Sequence, residues 1–186
     1  MYVINPNMFC LQEIVWKSIY EYYHKRNMLW VLYRKFDINF LKTLEQLHNV
    51  FGISVINNWH FKDKISWLGD QLFEHSGARP VNIVYQYPEQ LILHNPYVIV
   101  SDRKLWSKGT THCDWNTADV KFECCAVDGY NNRVKKYDEI REFILNNPES
   151  FPYITTIESG EFAQTWLHFS TGNFSHDNDK IRIIKP

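Results

Sequence analysis

The sequence predicts an α+β domain in which N-terminal helices pack on a central antiparallel sheet. Two observations lead there. Apolar residues recur at helical spacing through residues 8–51, and beyond them short β-prone runs alternate with turn residues. Helices first and mostly strands afterwards favour segregated layers over repeated βαβ units. The chain has 186 residues, 45% apolar and 16% aromatic, so one domain can bury a sizeable core and the composition is not that of a disordered chain.

The elements follow in order. Phe9, Leu11, Ile14, Val15, Ile19, Tyr22 and Tyr23 predict one or two helices over residues 8–33. Tyr20, Tyr22, Tyr23, Trp30 and Tyr33 form an aromatic stripe, read as core or an inter-helix seam, with a ligand-binding surface as the alternative. Asp37 is an N-cap for a helix with Phe40, Leu41, Leu44, Leu47 and Phe51 on one side, closed by Gly52. A short strand follows at Ile53–Ile56. Val81–Tyr87 and Leu91–Val100 read as strands broken by Pro88-Glu89, and Val120–Val127 as a central strand turning at Asp128-Gly129. Asp138 caps a helix over 139–146 that Pro148 stops. Residues 153–158 and 165–169 form a hairpin around Gly160, and the last residues are a polar tail.

Charge and cysteines exclude several functions. Twenty basic and 21 acidic residues give a net charge of −1, which offers no footprint for nucleic acid. No run of about 18 apolar residues predicts a membrane span, and no basic-then-apolar start predicts a signal peptide. The expectation is a protein made in the cytoplasm. Cys10, Cys113, Cys124 and Cys125 form no CxxC pair and suit a reducing compartment.

The chemistry-bearing residues lie in two stretches. Thr110–Asp119 places His112 and Asp119 seven residues apart, and Trp166-Leu167-His168 supplies a second histidine. Two imidazoles and a carboxylate are a ligand set for Zn²⁺ that leaves its fourth position for water. A zinc-activated water needs a carboxylate to shuttle its proton. Glu158 and then Glu161, both shortly before His168, are the candidates. By spacing alone the pattern is weak, since eight histidines produce such intervals by chance and a single histidine is more often hydrogen-bonded than ligating. Cys113 reads as a packing residue and His60 as a structural one.

These stretches resemble the zinc D-alanyl-D-alanine peptidase family, whose pattern is S-x-H-x6-D followed by W-x-H. The family includes carboxypeptidases, dipeptidases and phage endolysins, and shares its metal-binding fold with hedgehog. Thr110-Thr111-His112 through Ala118-Asp119 resembles the first half, and Trp166-Leu167-His168 the second. Phe36–Gly52 resembles the family's leading helix, Ile56–Phe61 the phage-type version of the strand after it, and Tyr137–Glu158 the helix and strand before the last histidine, so the likeness spans residues 36–172. It implies His112, Asp119 and His168 as zinc ligands, with Thr110 and Trp166 beside the substrate.

The chain departs from the pattern at four places. Trp115 stands where the family has Gly, and Ser170 where it has Asp. Thr165 stands where some members carry the acidic base, and the substrate-binding arginine has no counterpart around Trp67–Gln71. The resemblance implies a zinc peptidase cutting peptidoglycan stem peptides or cross-links, of the phage endolysin or virion-associated kind. The alternatives are a catalytically weak, metal-bound binding module or virion structural protein on the same scaffold, and an α+β interaction domain whose N-terminal aromatic helix recruits a partner. The corresponding division is a helical extension at 1–35, a peptidase-like domain at 36–172 and a tail at 173–186.

Overall fold

The computed structural model describes residues 9–57, 116–172 and 181–185. The expected strands at 81–87 and 91–100, together with His60, Thr110, His112, Cys113 and Trp115, lie outside the described residues.

Three short helices open the described chain where one or two were expected: α1 (Leu11–Ile14), α2 (Lys17–Lys25) and α3 (Leu29–Tyr33). The first break comes at Val15 and Trp16, whose backbones are extended. Buried Asn57 satisfies the broken ladder there: its backbone N–H donates to the Glu13 carbonyl and its Nδ2 to the Val15 carbonyl, each at 2.9 Å. The second break is at Asn27, in the left-handed region at φ 56°, a conformation asparagine tolerates better than most residues.

The next helix, α4 (Ile38–Phe51), matches its sequence signals. Asp37 Oδ1 accepts from the N–H groups of Asn39 (2.7 Å) and Phe40 (3.1 Å), two donors the first turn leaves unpaired. Gly52 ends the helix at φ 67°, its N–H donating to the His48 carbonyl at 2.8 Å.

Strands β1 (Ile53–Val55), β2 (Thr117–Phe122), β3 (Thr156–Glu158), β4 (Leu167–Ser170) and β5 (Arg182–Ile184) lie in the order β1-β2-β4-β3-β5. Neighbours are antiparallel except β3 and β5, so the sheet is mixed and the expected all-antiparallel arrangement is corrected at one edge. That edge strand comes from the segment expected to be a polar tail. Ile181 is buried, the Arg182 N–H donates to the Thr155 carbonyl and the Ser159 N–H to the Ile184 carbonyl, both at 2.9 Å.

Two further boundaries differ from expectation. β2 ends at Phe122 and a 3-10 turn over Glu123–Cys125 replaces the expected continuation to Val127. Helix α5 (Tyr130–Asn146) begins after Gly129, nine residues before the expected start at Glu139; its end before Pro148 is as expected.

Strand alternation gives the sheet two unlike faces. Ala118, Val120, Ile157, Leu167 and Phe169 share one, all buried. Phe40 of α4 stacks on Phe169 at 5.8 Å between ring centroids, and buried Tyr137 of α5 accepts at its hydroxyl from the Phe122 N–H at 3.2 Å. Leu11, Ile14, Ile19 and Leu32 belong to the same core, so residues 9–35 and the sheet bury one another. The other face carries Thr117, Asp119, Thr156, His168 and Ser170.

Candidate metal centre

Strands β2 and β4 pair so that Asp119 lies opposite His168 and Thr117 opposite Ser170. On the far side of β4, β3 pairs Thr156 with Ser170 and Ile157 with Phe169, a register that carries Glu158 to a place opposite His168. Sheet pairing alone therefore assembles a row across three strands, Asp119–His168–Glu158, from residues up to 49 positions apart.

The row is closely spaced. His168 Nδ1 and Asp119 Oδ1 are hydrogen-bonded at 2.7 Å, and Glu158 Oε2 stands 3.9 Å from the same nitrogen. With Asp119 ionised, its carboxylate can only accept, and His168 Nδ1 is then the donor in this bond. All three side chains are partly shielded from water. Burial pushes the Glu158 carboxyl above the usual carboxylate range; His168 opposes that shift, Asp119 adds to it, and Arg141 opposes it.

A carboxylate oxygen and an imidazole nitrogen are suitable donors for zinc. Two donors on one tetrahedral zinc stand about 3.3 Å apart. Seating one zinc between Asp119 Oδ1 and His168 Nδ1 would therefore require loss of the Nδ1 proton and a parting of the pair by about half an ångström. Among the described residues no three His, Cys, Asp or Glu side chains form a ready metal cage. The pair fits as two of three ligands, and the expected third, His112, lies outside the described residues, as does Thr110.

The remaining expected residues divide. Glu161 is exposed and ion-paired with Lys185, its Oε2 2.9 Å from Nζ, while Glu158 stands in the row. Trp166 lies two residues before His168, with Lys121 Nζ 5.6 Å from its ring centroid. Ser170, at the family's aspartate position, is buried in a neutral network: its Oγ donates to Asn116 Oδ1 (3.4 Å) and accepts from the Gly172 N–H (3.2 Å), while Thr117 Oγ1 also donates to Asn116 Oδ1 (3.1 Å). A serine hydroxyl fills both roles there; an ionised aspartate could not donate.

Two residues near the row were not singled out from sequence. Lys121 follows Asp119 by two, which on a strand means the same face. Its Nζ donates to the Thr165 carbonyl at 2.9 Å, and burial lowers its pKa to about 8 despite the nearby Asp119 carboxylate. Arg141 sits on the buried stripe of α5 with Tyr137, Ile140 and Ile144. The signal for both was periodicity: a charge placed on a face whose neighbours point inward or into the site.

Comparison of the chain with protein-family models, with curated proteins and with solved structures finds no match to any of them.

Proposed function

We propose that this protein is a zinc-dependent peptidase acting on peptide bonds of peptidoglycan. The observation that carries the reading is the Asp119–His168–Glu158 row, in which two donors of the sequence motif meet at 2.7 Å with a carboxylate beside them. Asp119, His168 and His112 would hold zinc, which when bound supplies a water of lowered pKa and polarises the scissile carbonyl. Glu158 takes the proton of the attacking water and delivers it to the leaving amine. Trp166 and Thr110 line the substrate.

Metal content and turnover test the reading together. The purified chain is expected to hold about one zinc, as a three-ligand site with an open position does, and His168→Ala, Asp119→Ala and His112→Ala to lose it. Glu158→Gln is expected to keep zinc and to lose about 10²–10⁴-fold in hydrolysis of purified peptidoglycan. A wild-type chain that takes up no zinc overturns the proposal.

A second reading has one observation in its favour. Thr165, at the place where some relatives of the resembled family carry their acid, has no carboxylate, and its carbonyl is engaged by Lys121. A zinc-loaded chain with no turnover of peptidoglycan would make the site a binding module on the same scaffold.

A further inference from the structure

Glu158 ends β3 and His168 is the second residue of β4, so residues 159–166 set how the two approach each other. Side chains from α5 and β2 bond that loop: the Tyr130 hydroxyl of α5 donates to Gln164 Oε1, Lys121 of β2 donates to the Thr165 carbonyl, and Arg141 of α5 holds two of its carbonyls at once. The Arg141 guanidinium, 5% exposed, donates from Nη2 to the carbonyls of Ala163 and Trp166, the latter at 2.7 Å, and from Nη1 to Asp138 Oδ1 at 2.9 Å. From the loop side, Gly160 runs so close to Asp138 Oδ1 and Arg141 Nη1 that a Cβ there would collide with the Asp138 carboxylate. The loop is thus pressed onto a one-turn Asp–Arg pair at both its start and its end.

We propose that Arg141 is a positioning residue for the candidate centre: by fixing the carbonyls of Ala163 and Trp166 it sets the start of β4, and with it the approach of His168 to Asp119 and Glu158. The inference rests on the peptidase reading for what Glu158 and His168 do, but the geometry it describes exists without metal. A planar fork holds the two carbonyls and the carboxylate at a fixed spacing; a lysine ammonium also has three donors, but as a single point on a flexible stem it does not fix that spacing. Desolvation pulls the guanidinium below its ordinary range although the half-exposed Asp138 carboxylate opposes it. What the fork adds is a fixed spacing.

The test uses the full chain with Arg141→Lys and, as a milder change at a half-exposed position, Asp138→Asn. Three quantities are compared with wild type: the thermal midpoint, zinc affinity by chelator competition, and the ring-nitrogen NMR shifts of His168 in the zinc-free chain, which report whether the proton stays on Nδ1 facing Asp119. Positioning predicts zinc binding weaker by about tenfold or more in Arg141→Lys, in line with other residues that orient ligands. It also predicts a His168 ring that averages between tautomers, with Asp138→Asn showing the same changes to a smaller degree and a near-native midpoint. Unchanged ring shifts in both folded variants, whatever the midpoints do, would overturn it and leave Arg141 as a fastener of the loop. If the wild-type chain takes up no zinc, the peptidase reading fails separately, and the ring shifts alone decide the role of Arg141.

Discussion

Phe169 and His168 are adjacent in one strand and belong to different worlds. Phe169 is fully buried, stacked on Phe40 and paired across the sheet with Ala118 and Ile157. His168 is partly exposed, with carboxylates on both sides. One face of the sheet holds the fold through area removed from water, and the other carries ionisable groups at short range. The difference teaches where change is tolerated: the apolar face answers to volume, the polar face to charge and proton position.

The sharpest way to break that comparison is to truncate both neighbours. Phe169→Ala is expected to cost about 3–5 kcal/mol, the usual range for emptying a fully buried aromatic site. His168→Ala in the zinc-free chain is expected to cost about 1 kcal/mol, a single hydrogen bond in a partly wet setting, while removing zinc binding altogether. Urea unfolding with parallel zinc analysis measures both. A His168→Ala loss as large as that of Phe169→Ala would make the row a structural element and remove the contrast.

How much of this was legible in the sequence follows from the range of each interaction. The caps of α4 were readable because Asp37 and Gly52 act within a few residues of themselves. His168 and Asp119 were nameable as a pair only through a motif, since their contact depends on a register set 49 residues away in the chain. The early start of α5 had a signal that the expected boundary did not use: Tyr130, Val134 and Tyr137 stand at i, i+4 and i+7 and run on to Ile140 and Ile144, although Tyr137 alone of the three is buried and Gly129 offers no capping side chain. Strand β5 was missed for a different reason. Arg182 and Ile183 are exposed, and the strand is held by backbone bonds to β3 that leave no alternation in its side chains.

Lys121 offers a subtler contrast on the polar face itself. Its folded pKa of about 8 lies below the ordinary 10.5 of a lysine in an unfolded chain. Below pH 8 both states hold the proton and the folded state bears the full cost of a desolvated ammonium. Between pH 8 and 10.5 the unfolded chain binds more protons, so this residue makes stability rise with pH. Cys125, whose thiol burial pushes up to about 12, works in the opposite sense over part of the same range, so the comparison must be with a variant and not with neutral pH alone. The stability of Lys121→Met relative to wild type is expected to fall by about 2 kcal/mol from pH 8 to 10.5, after allowing for partial exposure. A flat difference would place the ammonium in water.

The smallest expected effect isolates the helix behind the apolar face. Asp37→Ala removes the acceptor of the Asn39 and Phe40 N–H groups at the start of α4, and caps of this kind contribute about 1 kcal/mol. The change leaves every residue of the polar face in place. If the two faces are separable, Asp37→Ala lowers the unfolding free energy by about that amount and leaves zinc affinity and the His168 ring shifts at their wild-type values. The reason is that Phe40, three residues into the helix, meets the sheet through Phe169 and not through the Asp119–His168 pair. A loosened His168 in that variant would mean that strain in α4 reaches through β4 to the opposite face, and that the sheet transmits packing changes to the candidate centre.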